Sequence, residues 1–156
     1  MIFNNDLFNF MKVRQFASIL ILAFLSSQVW AQSENDILGV WYNTEKTAKV
    51  IISKSGDKFM GKISWLLEPE KNGVPAMDEQ NDNDKLKNRP LMGLTILEGL
   101  RYKNGLWKGG KIYDPMSGNT YSCELKLLSM DTLEVTGFMG FSWIGRTVEW
   151  TRAEKP

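Results

Sequence analysis

The chain has 156 residues, is 43% hydrophobic, carries a formal net charge of +1 and contains no histidine. That length suits one domain with a substantial core, and the balanced charge argues against the basic surface that a nucleic-acid-binding domain needs. Without histidine, the Ser-His-Asp and Cys-His nucleophile arrangements and histidine-bound catalytic zinc are excluded.

The amino terminus reads as an export signal. Lys12 and Arg14 form a basic segment, Ala17 to Leu25 is an apolar run, and Val29-Trp30-Ala31 offers a signal-peptidase site. The run is shorter than the about 20 residues a bilayer-spanning helix requires. We expect residues 1–31 to be a signal peptide cleaved after Ala31, with Met11 the tidier start, and residues 32–156 to form the mature domain. No cysteine follows the apolar run, so no lipobox is present. The expected location is periplasmic or secreted, with no membrane span after cleavage. Removing Lys12, Arg14 and Asp6 leaves basic and acidic residues in equal number.

Beyond the signal, the dominant pattern is period two, with β-branched and aromatic residues between turn signals. Ile37 to Asn43 reads as a first strand. Ala48, Val50 and Ile52 mark a second. Phe59, Gly61, Ile63 and Trp65 mark the inner face of a third. A long polar stretch, 67–89, interrupts the alternation, with one helical turn suggested near Asp84 to Asn88. Strands resume at Leu94 to Tyr102, then Leu106 to Tyr113 after the Asn104-Gly105 hairpin signal. Thr120 to Leu128, Thr132 to Met139 and Arg146 to Arg152 complete the series. The expected fold is all-β: a single small antiparallel barrel of about eight strands, a number that leaves room for side chains or one small ligand. Cys123 is the only cysteine and lies on the apolar face of its strand. It reads as a buried small hydrophobe; the reactive-thiol alternative lacks a histidine to lower its pKa.

Gly39-Val40-Trp41 opens the first strand and Arg152 ends the last. In lipocalin-like (calycin-like) barrels a Gly-x-Trp packs under an arginine from near the C-terminus, a cation–π contact. A longer ordered series runs through Gly39-Val40-Trp41, Arg89-Pro90-Leu91-Met92-Gly93-Leu94, Gly110-Lys111-Ile112-Tyr113-Asp114-Pro115, Ser117-Gly118, Tyr121, Gly137, Gly140, Gly145-Arg146 and Trp150. On these residues the chain resembles the bacterial domain of unknown function 2147 family. The resemblance implies a small exported β-barrel with no assigned activity, and so supplies no catalytic residue. Such proteins carry an Asn-Pro-Asp-Pro-like stretch in the long loop. Here Asn81-Asp82-Asn83-Asp84 lacks the proline.

Several constellations can carry chemistry. Two acids flanking a bond suffice for a carboxylate-based hydrolase, and Asp78, Asp82, Asp84 and Asp114 are available. Asp and Asn also collect in turns for backbone reasons. Asp78, Asp82 and Asp84 are weak metal candidates: their spacing resembles a calcium loop, but Asn83 and Arg89 stand where such a loop needs glycine and glutamate. Arg89 either ties the polar loop to a carboxylate such as Asp78 or Asp82, or receives an anionic ligand group. Arg146 is either a strand-edge charge or an inward-pointing partner for an acid. Trp65, Tyr113, Phe138, Phe141 and Trp143 join Arg89 and Arg146 as candidate ligand-binding residues, although core packing explains many aromatics in a small β domain. The leading reading is a barrel that binds a small apolar or amphiphilic ligand inside, without a cofactor. The alternative is a filled barrel that contacts envelope proteins through its surface. A carboxylate enzyme is the minor third reading.

Overall fold

The computed structural model describes residues 32–140 and 145–153, so the predicted signal peptide lies outside the described residues. Ten strands follow a 3-10 turn at Glu34–Ile37: β1 (Gly39–Tyr42), β2 (Ala48–Ser55), β3 (Lys58–Leu66), β4 (Glu70–Lys71), β5 (Val74–Pro75), β6 (Thr95–Lys103), β7 (Leu106–Asp114), β8 (Asn119–Ser129), β9 (Thr132–Phe138) and β10 (Gly145–Arg152). Eight of them close into an antiparallel barrel in the order β1-β10-β9-β8-β7-β6-β3-β2. Each barrel strand pairs with its neighbour in sequence, and β1 pairs with β10 to close the sheet (Trp41 opposite Arg152). Closure leaves no barrel edge open to another chain. β4 and β5 form a small separate hairpin inside the long β3–β6 connection.

Two expectations need correction. Ile37 is not in the first strand but ends the 3-10 turn, where Ser33 caps and Asp36 bonds back to the Ser33 N–H at 2.7 Å. This is a capping box, a local signal that outweighs the extended propensity of isoleucine. Trp65 does not share the inner face of Phe59, Gly61 and Ile63. The β2–β3 register skips Ser64, pairing Val50 with Ile63 but Lys49 with Trp65. One extra residue in a strand reverses every side chain beyond it. Trp65 therefore lies on the outer wall, edge-on to Tyr42 at 6.1 Å between ring centroids and with Lys49 Nζ 5.7 Å from its own. Leu66 takes the inward position instead and packs on the core.

The alternation gives the barrel its two ends. The 56–57, 104–105 and 130–131 turns and the 3-10 turn lie at one; the 43–47, 67–94 and 115–118 connections and residues 139–140 lie at the other. Trp41, Phe59, Leu97, Leu100, Trp107, Leu125 and Leu133 form the fully buried centre of the core, with Ile37 from the 3-10 turn. Cys123 is also buried in the wall, and burial pushes its thiol up to about 12. Iodoacetamide is expected to leave Cys123 unmodified in the native protein and to alkylate it in denaturant. Mass spectrometry checks this, and rapid native labelling would contradict the burial.

Candidate functional site

The 3-10 turn and the residues beside it are stitched to the barrel by side chains from five strands. Trp41 Nε1 donates to the Ile37 carbonyl at 2.8 Å, Trp107 Nε1 to that of Glu34 at 3.1 Å, and Tyr102 Oη to that of Gln32 at 3.0 Å. Arg152 donates to three carbonyls: Asp36 at 2.6 Å, Leu38 at 2.9 Å and Met130 at 2.5 Å. Its guanidinium lies 4.1 Å from the Trp41 ring centroid. Lys54 adds an ion pair to Glu34 at 2.6 Å. This end of the barrel is plugged.

The other end is built differently. Paired registers carry the inner face up the wall: Ile112 opposite Tyr121, Cys123 opposite Gly137, Gly137 opposite Arg146, and Val148 opposite Val135. Ile112, Tyr121, Gly137, Val148 and Leu66 are only half-buried, and Arg146 is exposed, although all occupy inward positions. Gly137 leaves the wall bare between Ile112 and Tyr121, each 3.6 Å from where a Cβ would sit. The connections at this end also expose large apolar side chains, namely Leu67, Met92, Met116 and Met139. The interior thus changes along its axis from a sealed aromatic core to an accessible apolar wall with one cationic residue.

Arg89 and Tyr113 are brought together, but on the outer wall. Tyr113 follows inward-facing Ile112 and so points away from the interior, towards the long loop. There Asp78, fully buried, accepts from Arg89 Nε at 2.7 Å, Tyr113 Oη at 2.5 Å and Asn81 Nδ2 at 2.8 Å. Asn81 Nδ2 also reaches Tyr113 Oη at 2.9 Å, and the Arg89 guanidinium lies 5.2 Å from the Tyr113 ring. The Asp78 N–H donates to the Arg89 carbonyl at 3.0 Å. Gly118, with φ of +74°, backs onto Gln80 so closely that a Cβ would fall on the Gln80 carbonyl oxygen. These contacts clamp the loop to β7 and the β7–β8 turn. Burial, and then the hydrogen bond to the Asp78 carboxylate, raise the Tyr113 pKa.

Phe138 follows inward Gly137 and pairs with Ser122 and Gly145, on the outer register. Phe141 and Trp143 lie outside the described residues. Asp78, Asp82 and Asp84 do not converge: Asp78 is taken up by the clamp, and Asp84 pairs with Lys87 at 2.7 Å. Among the described residues no group of three or more acidic or cysteine side chains could hold a metal ion, and no helix is long and apolar enough to cross a membrane. A groove of about 450 Å³ runs along the β4–β5 hairpin, between Glu68, Val74, Pro75, Met77 and Glu79. Sequence reasoning singled out Arg146 but missed Leu66, Ile112, Val148 and Tyr121 as wall residues. Period-two alternation within a strand carries no sign that this end stays accessible.

Residues 39–152 match the bacterial family described as "Uncharacterized protein conserved in bacteria (DUF2147)". The chain belongs to this family. No curated protein matches the sequence. Among solved structures, the chain is similar to protein HP1028 of Helicobacter pylori, a protein described as belonging to the lipocalin family. The two share 26% identity, with a TM-score of 0.66, over 76% of this chain and 83% of that one. The DUF2147 domain of this chain is a lipocalin-like barrel, and the Trp41–Arg152 stack is where its first and last strands meet.

Proposed function

We propose that the protein is an exported binding barrel that takes a small amphiphilic molecule into its loop end, with the apolar part against Leu66, Ile112, Tyr121 and Val148 and an anionic group at Arg146. The observation that carries this reading is the contrast between the two ends: inward side chains are sealed at the plugged end and half-buried or exposed at the other. Apolar walls with one or two placed polar groups are the usual composition of a small-molecule site. The likeness to a lipocalin-family protein supports it, as does the signal-like amino terminus.

Native mass spectrometry of the protein purified from the exporting cell tests it. A reproducible extra mass, lost on denaturation, is the expected result. Gly137→Leu, which adds a side chain between Ile112 and Tyr121, is expected to abolish that mass while circular dichroism still reports the barrel. Arg146→Ala is expected to reduce occupancy by removing the charge-assisted contact. A clean apo mass, with tryptophan fluorescence unmoved by lipids or small aromatics, would overturn the reading in favour of a barrel that works through its surface.

A further inference from the structure

We propose that Gln32 becomes the amino-terminal residue on export and that its side chain closes onto its own α-amine to form a pyroglutamyl lactam. The inference rests on the cleavage after Ala31 that belongs to the export reading above. Cleavage there exposes a glutamine α-amine. Its nitrogen attacks Cδ of the side-chain amide. A C–N bond forms, the Cδ–Nε2 bond breaks, and Nε2 leaves as ammonia with a proton from the α-amine. The step is an intramolecular acyl transfer that needs no oxidant or second substrate.

The structure adds a reason for this residue to lose that nitrogen. Gln32 Nε2 is buried without a hydrogen-bond partner, alone in this among the described side-chain nitrogens and oxygens. A buried donor left unpaired keeps its full desolvation penalty, and departure of ammonia removes the donor. The rest of the residue is already held. Its carbonyl accepts from Tyr102 Oη at 3.0 Å, and the next N–H is bound by Asp36 Oδ2 at 2.7 Å. Gln32 is half-buried at the plugged end, with Oε1 beside the Asn104–Gly105 turn. Cyclisation also replaces the α-ammonium that cleavage leaves on this half-buried residue with a neutral amide. The modification therefore completes the plug: it removes one unsatisfied donor and one charge from the segment into which Tyr102, Trp107 and Arg152 donate.

Intact-mass measurement, amino-terminal peptide fragmentation and stepwise amino-terminal degradation of the full-length gene product, purified after export, test the proposal. The expected mass is that of residues 32–156 less one ammonia, with degradation blocked. Gln32→Ser is expected to restore the unmodified mass for its sequence and a readable amino terminus. A free Gln32 amine that persists on prolonged incubation at neutral pH would overturn the cyclisation and leave the export reading standing. An amino terminus at any other residue would overturn both.

Discussion

Arg152→Ala is expected to lower the unfolding free energy by about 3 kcal/mol, the scale of lost charge-assisted hydrogen bonds and a partly desolvated cation–π contact. One guanidinium serves three backbone carbonyls from two parts of the chain: Asp36 in the 3-10 turn and Leu38 just after it, and Met130 in the β8–β9 turn. It also covers Trp41, whose ring is fully buried. Truncation leaves those carbonyls at the barrel end without their donor and uncovers one face of the ring. Burial lowers the Arg152 pKa, yet an arginine stays protonated throughout the ordinary pH range. The loss should therefore be nearly independent of pH. Arg152→Lys is expected to recover less than half of it, because one ammonium cannot match a planar fork directed at three acceptors. Urea denaturation followed by tryptophan fluorescence measures both variants. An unchanged midpoint for Arg152→Ala would show that Trp41, Tyr102 and Trp107 hold the plug without it.

Asp78→Ala is expected to be the most damaging change in the long loop, costing about 3 kcal/mol, the low end for breaking a buried ion pair. The low end applies because the Arg89 side chain is 33% exposed and can turn to water, whereas Asp78 is fully buried. The substitution leaves Arg89, Tyr113 and Asn81 without a shared acceptor. Limited proteolysis should then open the chain within 67–93, where the wild type resists. An Asp78→Ala, Arg89→Ala double-mutant cycle separates the pair from its surroundings: a coupling near zero would show that the backbone pairing of Asp78 with Arg89 holds the loop alone. The clamp also has an alkaline limit. The folded-state pKa of Tyr113 is raised above the tyrosine value of about 10. The folded state therefore holds that proton more tightly than the unfolded chain does. This stabilisation is complete below the unfolded value and is lost as pH rises through the folded one. Tyr113→Phe is expected to be less stable than wild type at neutral pH and to lack that part of the alkaline decline.

The strand series was legible because a closed barrel rewards strict alternation. Val50 and Ile52, Leu125 and Leu127, and Leu133 and Val135 each fall on the core face as period two requires. The Trp41–Arg152 pairing could also be anticipated, since a Gly-x-Trp at one chain end and an arginine at the other meet only if the sheet closes. The tie of Arg89 to Asp78 was readable from charge and position, and the structure selects Asp78 over exposed Asp82. Trp65 was not readable: one skipped residue at Ser64 moved it to the outer wall, and nothing local marks that bulge. Tyr113 was named from its neighbourhood, but only the register shows that it faces the loop rather than the interior.

By itself, the sequence determined the number and order of the barrel strands, the absence of histidine chemistry, the family, and the residues able to close the barrel. Local propensity and alternation act over a few residues and are written in the chain. The tertiary structure alone decided which end is plugged, which inward residues remain accessible, and that Arg89, Tyr113, Asn81 and Asp78 form one cluster. These depend on register, bulges and the path of the 67–93 loop, where residues up to 35 positions apart meet. Such contacts come from packing over long separations, which no local pattern encodes.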